Sequence, residues 1–333
     1  MIASTMTPLG EFELIERYFA RPAHRAVLGV GDDCALLVPA AGMNLAVSTD
    51  MLVEGRHFLS TVAPERLGHK ALAVNLSDLA ACGARPLAFT LALALPQADP
   101  GFLAGFSRGL FAIADRYGCE LVGGDTTRGP LTIAITVFGE VPVGGALLRS
   151  GARPGDELYV SGTLGDARLA LEVFRGNVAV SSEAFARIRQ AMEEPSPRVD
   201  LGLALRGIAT SAIDVSDGLA GDLGHILRRS GVGAVVDVDA LPRSADLAVQ
   251  SVSWQRECLL AGGDDYELVF TAAAERRAAV AAAAAACGTA VTRIGRVEPG
   301  AGLRCVDAAG RDVAGPATSF DHFRQDPAGP PPR

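Results

Sequence analysis

Lysine is almost missing from this chain: Lys70 is the only one among 30 Lys and Arg residues. A phosphate-cradling loop of the Walker type needs Gly-Lys-Ser/Thr, whereas Lys70 sits in "GHKAL", so that nucleotide site is excluded. Cys-x-x-Cys spacing is absent too. The six cysteines, Cys34, Cys82, Cys119, Cys258, Cys287 and Cys305, are scattered, and "MIASTMTPLGEF" does not read as a secretory leader, which predicts reduced structural thiols and a cytoplasmic protein. The five histidines, His24, His57, His69, His225 and His322, form no His-Glu-x-x-His pattern and no nucleophile triad. No long apolar run exists, since the most apolar stretch, Ala71 to Leu95, is broken by Asn75, Asp78, Arg85 and Pro86 and cannot supply the ~20-residue span of a bilayer. Positive charge is in deficit, with a formal net charge of -8 and a pI near 5.2. This balance argues against a duplex nucleic-acid binder and against an anionic membrane surface, and a small-molecule or protein partner is expected.

What the chain does have is enough apolar material for two cores: 333 residues, 49% hydrophobic, with 38 glycines. "GEFELIERYF" reads as a short amphipathic helix. Strand-like and helical runs then alternate: "NLAVST" (Asn44 to Thr49), a helix near Pro64 to Cys82, "AFTLALAL", a helix near Gly101 to Tyr117, and "LTIAITVFGEV". The Gly/Pro-bearing passage "VPVGGALLRSGARPGD" marks a boundary near 143–155. Helices follow near Gly165 to Phe174, Glu183 to Met192 and Leu219 to Arg229, with strands near Leu158, Val235, Leu268 and Ile294. This predicts a mixed α+β protein with an N-terminal sheet domain over 1–145, a C-terminal α+β domain over 150–323 and a disordered tail over 324–333. The alanine-rich "AAVAAAAAAC" reads as compositional drift as much as selection.

Aspartates recur at the ends of apolar runs. "GVGDDCALL" sets Asp32 and Asp33 against residues that read as buried. Asp50 ends the strand "LAVST", beside the hydroxyls of Ser48 and Thr49, and Asn75 and Asp78 stand i, i+3 on an otherwise apolar helix. "LVGGDTTRGP" places Asp125 at a strand end, where glycine lets a backbone approach a ligand or forms a plain polar turn. "AIDVSDGLAGDLGHIL" clusters Asp214, Ser216 and Asp217 before a helix, with N-capping by Ser216 or Asp217 as the structural alternative. Asp33, Asp50, Asp78, Asp125, Asp214 and Asp217 form a set of hard oxygen ligands that would repel one another unless cations bridged them. Mg2+ suits them, because it takes one or two carboxylates and completes its shell with water and phosphate.

The ordered motifs "GEFELI", "GVGDDCALL", "STDMLVEGRHF", "KALAVNLSDLAACGARP", "GGDTTRGP", "LLRSGARPGD", "IDVSDGLAGDLGHI" and "GGDDYEL" resemble the thiamine-monophosphate kinase family from Gly10 to about Phe323. The resemblance implies the two-domain aminoimidazole-ribonucleotide-synthetase-like fold, with the N-terminal domain forming a homodimer. It implies several Mg2+ ions at Asp33, Ser48, Thr49, Asp50, Asp78, Asp125, Asp214 and Asp217, with K+ left open as an assisting ion. Gly124, Asp125, Arg149 and Ser216 match ATP contacts, and His57, Asp264 and Phe320 match positions that hold thiamine monophosphate. The family commonly has glutamate where Asp264 stands, so the arm here is shorter. The implied reaction transfers the γ-phosphoryl group of ATP onto thiamine monophosphate. Its nucleophile is a phosphate oxygen, largely ionised near neutral pH because the second phosphate pKa is about 6, so no catalytic side-chain base is expected. Two alternatives stay open from the residues themselves: a synthetase that phosphorylates an amide or carbonyl oxygen, and a non-catalytic nucleotide-binding homologue.

Overall fold

The computed structural model describes residues 10–313. Phe320 and the expected tail over 324–333 lie outside the described residues. The chain divides into two compact units, the first comprising residues 10–75 and 86–140, the second 76–85 and 141–313.

The first unit contains α1 (Glu11–Tyr18), β1 (Met43–Val53), α2 (Pro64–Ala81, which runs on into residues of the second unit), β2 (Arg85–Leu95), α3 (Pro100–Tyr117), β3 (Glu120–Arg128) and β4 (Thr132–Pro142). Its four strands form one sheet in the order β1-β4-β2-β3, with β2 and β3 parallel. The ends of α3 are set by local chemistry. Asp99 Oδ1 accepts from the N–H groups of Gly101 and Phe102, Pro100 stands in the first turn, and Gly118 closes the helix in the left-handed conformation at φ 59°. Helices α2 and α3 cross backbone to backbone: a Cβ on Gly68 would lie 2.0 Å from the Phe106 carbonyl oxygen, and one on Gly109 would lie 1.7 Å from that of Glu65. Apolar on almost every side, α2 is buried rather than amphipathic, with Leu67, Leu72, Leu76, Leu79 and even Lys70 all but inaccessible.

Three expectations change here. The residues after Asp33 are not a core run: the segment is a loop whose alternate residues Ala35 and Leu37 pack on Leu87, Ala88 and Val122, leaving Leu36 and Val38 52% and 73% exposed. Asp50 does not end its strand, because β1 runs on to Val53. Nor does Asp125 end β3, which continues to Arg128 in register with β2, pairing Asp125 with Ala92.

The second unit is built on a six-stranded sheet. It contains β5 (Glu157–Ser161), α4 (Asp166–Phe174), α5 (Ser182–Glu193), α6 (Val199–Ala204), β6 (Ser211–Asp214), α7 (Leu219–Ser230), β7 (Gly233–Asp237), α8 (Ala245–Ala248), α9 (Val252–Ala261), β8 (Leu268–Ala272), α10 (Arg277–Ala286), β9 (Val291–Glu298) and β10 (Gly302–Val306). The strand order is β10-β7-β9-β5-β8-β6; β5 is antiparallel to both β8 and β9, and β6 is antiparallel to β8. Strands β5, β6 and β8 are buried along their whole length, as fully covered strands require. Leu219, Leu223, Ile226 and Leu227 of α7 pack with Val160, Ile213, Val236, Val269 and Ile294 in one core. The alanine-rich stretch forms helix α10, with Val280, Ala283 and Ala284 facing inward. All six cysteines are unpaired, and among the described residues no helix is long and apolar enough to cross a membrane.

Candidate active site

In the first unit the expected site residues lie on a loop and two strands. Asp33 is exposed, and its N–H donates to Asp32 Oδ1 at 2.8 Å. On β1 the pleat separates neighbours, placing Ser48 and Asp50 on one face and Leu45, Val47, Thr49 and Met51 on the other. The Thr49 hydroxyl lies 2.8 Å from that of Thr136, so its side chain is set apart from Ser48 and Asp50. Asp50 is positioned through its backbone: its N–H donates to Oδ1 of the buried Asn75 at 3.0 Å, and Asn75 Nδ2 donates to the Ala71 carbonyl oxygen at 3.0 Å. On β3, Gly124 at φ 153° is pressed against β2, where a Cβ would come within 1.9 Å of the Leu91 carbonyl oxygen; only glycine fits immediately before Asp125. His57 sits in a tight turn after β1, where its Nδ1 accepts from the Val53 N–H at 3.0 Å, so the proton of the neutral ring is on Nε2.

The second unit carries Asp78, Arg149, Asp214, Ser216, Asp217 and Asp264. Asp214 ends β6, nearly buried, and Oδ2 accepts from the Ser77 hydroxyl at 2.8 Å. Neither Ser216 nor Asp217 caps α7: the N-cap is Gly218, at φ 110°, with no side-chain cap. Capping runs the other way. Asp222, 3% exposed in the first turn, accepts from the N–H groups of Ser216 and Asp217, each at 3.0 Å through Oδ2. Burial pushes the Asp222 carboxyl up to about 7, aided by the nearby Asp217 charge, while the two N–H donors and the Arg149 guanidinium pull it down. Arg149, exposed, is held by the backbone, its carbonyl accepting from Ser230 Oγ at 3.3 Å. It also helps lower the pKa of His225, behind burial and the Arg228 charge.

The segment Gly262 to Glu267 is joined to this loop by main-chain bonds. The N–H of Asp264 donates to the Ser216 carbonyl, that of Tyr266 to the Val215 carbonyl, and that of Val215 to the Glu267 carbonyl, all at 2.8 Å. Among the described residues, Asp264 and Tyr266 are the non-glycine residues with positive φ, at 69° and 52°, a strained conformation that the ladder and the Tyr266 Oη–Asp264 Oδ1 bond of 2.9 Å hold in place. Gly263 is needed for the approach, since a Cβ there would lie 2.3 Å from the Ser216 carbonyl oxygen. The second "GDD" is thus unlike the first. Asp265 points into the core, Oδ1 accepting from the Gly165 N–H at 2.9 Å and Oδ2 without a partner, and burial raises its pKa well above the usual carboxylate range. Next to it, Glu267 is buried and paired with Arg198 and Ser161.

Sequence reasoning missed Asp222, Ser77 and Asp265 as parts of this architecture and gave Asn75 no task. An acid in the first turn of α7 was the one visible sign of Asp222. Among the described residues no three His, Cys, Asp or Glu side chains gather around one metal position. The donors are nonetheless carboxylate and hydroxyl oxygens without imidazole or thiolate, the chemistry that suits Mg2+, which needs only one or two protein carboxylates.

The chain matches the family models of the AIR synthase related protein N-terminal domain over residues 31–141 and C-terminal domain over 153–308. It is 47% identical to the thiamine-monophosphate kinase of Salmonella typhimurium, over 94% of this chain and 98% of that one. The crystal structure of thiamine-monophosphate kinase from Stenotrophomonas maltophilia superposes with a TM-score of 0.83 at 47% identity, covering 90% of this chain and 97% of the other. The structure of AaThiL complexed with AMPPCP and TMP superposes with a TM-score of 0.74 at 32% identity, covering 86% and 89%. With both domain models matched and relatives this similar along nearly the whole chain, the chain belongs to the thiamine-monophosphate kinase family of enzymes.

Proposed function

We propose that this chain transfers the γ-phosphoryl group of ATP directly to thiamine monophosphate, giving thiamine diphosphate and ADP. The observation that carries the reading is the bonded pair of loops, Asp214 to Gly218 and Gly262 to Glu267, which sets the oxygen donors Asp214, Ser216 and Asp217 beside Asp264 on one rigid support. Similarity to AaThiL, solved with AMPPCP and TMP, supports the choice of ligands.

In this reading Asp33, Ser48, Asp50, Asp78, Asp125, Asp214 and Asp217 hold the cations that accompany ATP, and Thr49 enters through its place in β1 rather than its hydroxyl. Magnesium, when bound, supplies neutralisation of the polyphosphate charge. Gly124 lets the nucleotide approach the backbone, Ser216 offers its hydroxyl and N–H, and Arg149 adds a fixed positive charge. His57 and Asp264, with Phe320 from beyond the described residues, orient the acceptor. The acceptor phosphate is already largely ionised near pH 7, with a second pKa of about 6, so the protein's task is alignment and charge compensation rather than proton abstraction.

The apolar outer face of β1, with Leu45, Val47 and Met51 between 43% and 57% exposed on the edge strand of its sheet, supports a homodimer in which a second copy covers it. Substrate chemistry and unpaired cysteines fit the cytoplasm.

Chromatography of a reaction containing the protein, MgCl2, ATP and thiamine monophosphate tests the reading. Equimolar thiamine diphosphate and ADP are expected; ADP without thiamine diphosphate, or turnover only with a purine-precursor amide, would overturn it in favour of a synthetase. Asp50→Ala is expected to abolish transfer with the fold intact, and near-normal turnover would remove Asp50 from the metal set.

A further inference from the structure

We infer that Asp222, which contributes no donor to the proposed ligand set, is the positioning residue that shapes the nucleotide and metal loop, by gathering the N–H groups of Ser216 and Asp217 onto one carboxylate oxygen. The inference rests on the assignment of Ser216 and Asp217 to the ATP and metal site.

Between Asp214 and α7 the chain must turn sharply without a capping side chain, because the N-cap is Gly218. The N–H groups of Ser216 and Asp217 would otherwise point at the buried start of the helix without acceptors, at a cost in stability and in definition of the loop. Asp222 removes that cost from below. Being 3% exposed, it reaches solvent hardly at all, and both of its bonds to the loop are 3.0 Å. Drawing two successive N–H groups inward leaves the intervening carbonyl and the two side chains to be placed by the opposite bonds. The Ser216 carbonyl is duly taken by the Asp264 N–H, and the Val215 carbonyl by that of Tyr266. The loop is therefore clamped on two sides, by Asp222 through its donors and by the Gly262 to Glu267 segment through its acceptors. Misplacement of positioning groups by about 1 Å can cost a hundredfold in rate. Such a clamp acts on nucleotide affinity without touching the nucleotide.

The chemistry predicts which substitutions matter. An asparagine oxygen accepts the same two N–H bonds at the same reach, so Asp222→Asn should keep the loop. Asp222→Ala removes the acceptor, and Asp222→Glu keeps charge and acceptor but moves the oxygen by one methylene. These three and Asp217→Ala are compared with wild type by thermal melting, titration with Mg·AMPPCP and initial rates with ATP and thiamine monophosphate. We expect Asp222→Asn to stay within about threefold of wild type, and Asp222→Ala and Asp222→Glu to raise the KM for ATP and weaken Mg·AMPPCP by about tenfold or more. The KM for thiamine monophosphate should move much less. Should Asp222→Ala not fold, Asp222→Glu carries the test. Wild-type nucleotide binding in folded Asp222→Ala or Asp222→Glu, with Asp217→Ala impaired, overturns the positioning role and leaves the site assignment standing. Losses in all Asp222 variants that track only their melting temperatures, Asp222→Asn included, overturn it in favour of a purely structural role. An unimpaired Asp217→Ala overturns the site assignment itself and the inference with it.

Discussion

Gly263→Ala puts the bonded loop pair to the sharpest test, because it adds a single methyl group at the point of closest approach. The new Cβ would lie 2.3 Å from the Ser216 carbonyl oxygen and 3.3 Å from the Asp217 Cα. Non-bonded heavy atoms rest at about 3.5 Å, so the two loops must part by about 1 Å. Gly263 is not among the glycines with positive φ, so the substitution probes space rather than backbone strain. Parting the loops lengthens the bond from the Asp264 N–H to the Ser216 carbonyl, 2.8 Å in the native chain, and shifts Ser216 and Asp217 relative to Asp264. A displacement of that size in positioning groups costs roughly a hundredfold, so kcat/KM should fall by about that factor. Overpacking of about 1–3 kcal/mol should lower the melting temperature by roughly 2 to 12 °C for a unit of this size. ADP release coupled to NADH oxidation gives the rates, and circular dichroism gives the melting curve. A folded Gly263→Ala with kcat/KM within about threefold of wild type would refute the claim that the two loops act as one support.

Further outcomes follow from the same unit. Arg198→Ala leaves the Glu267 carboxylate buried without its guanidinium, Nη2–Oε1 2.5 Å and Nε–Oε2 2.7 Å in the native chain, and should destabilise by ~3–5 kcal/mol in urea unfolding. A loss below about 1 kcal/mol would mean that water replaces the arginine. Burial raises the Asp265 pKa well above that of the unfolded chain, so its contribution to stability is present in acid and lost as pH rises above the ordinary aspartate range. Asp265→Asn should therefore raise the melting temperature at pH 7, and the gain should shrink toward pH 4. A gain independent of pH would contradict the raised pKa.

Much of this protein was written in local chemistry. The span of α3 follows from Asp99 and Pro100 at one end and Gly118 at the other, and the apolar length of α2 announces a buried helix, because caps and periodicity act within a few residues. The exclusion of a Walker loop needed only the position of Lys70, and the succession of aspartate motifs was enough to place the chain in its family. Tertiary structure decided what distant backbone does to those residues. It carried β1 past Asp50 and β3 past Asp125, and it separated Thr49 from Ser48 and Asp50 by the pleat of a paired strand. It also made two similar "GDD" stretches opposites, one exposed on a loop and the other with Asp265 Oδ2 out of reach of solvent beside a strained turn. The same holds for Asp222, whose two partners are main-chain N–H groups that every residue but proline possesses. No side-chain pattern marks them, and only the path of the chain between β6 and α7 brings them onto one carboxylate oxygen.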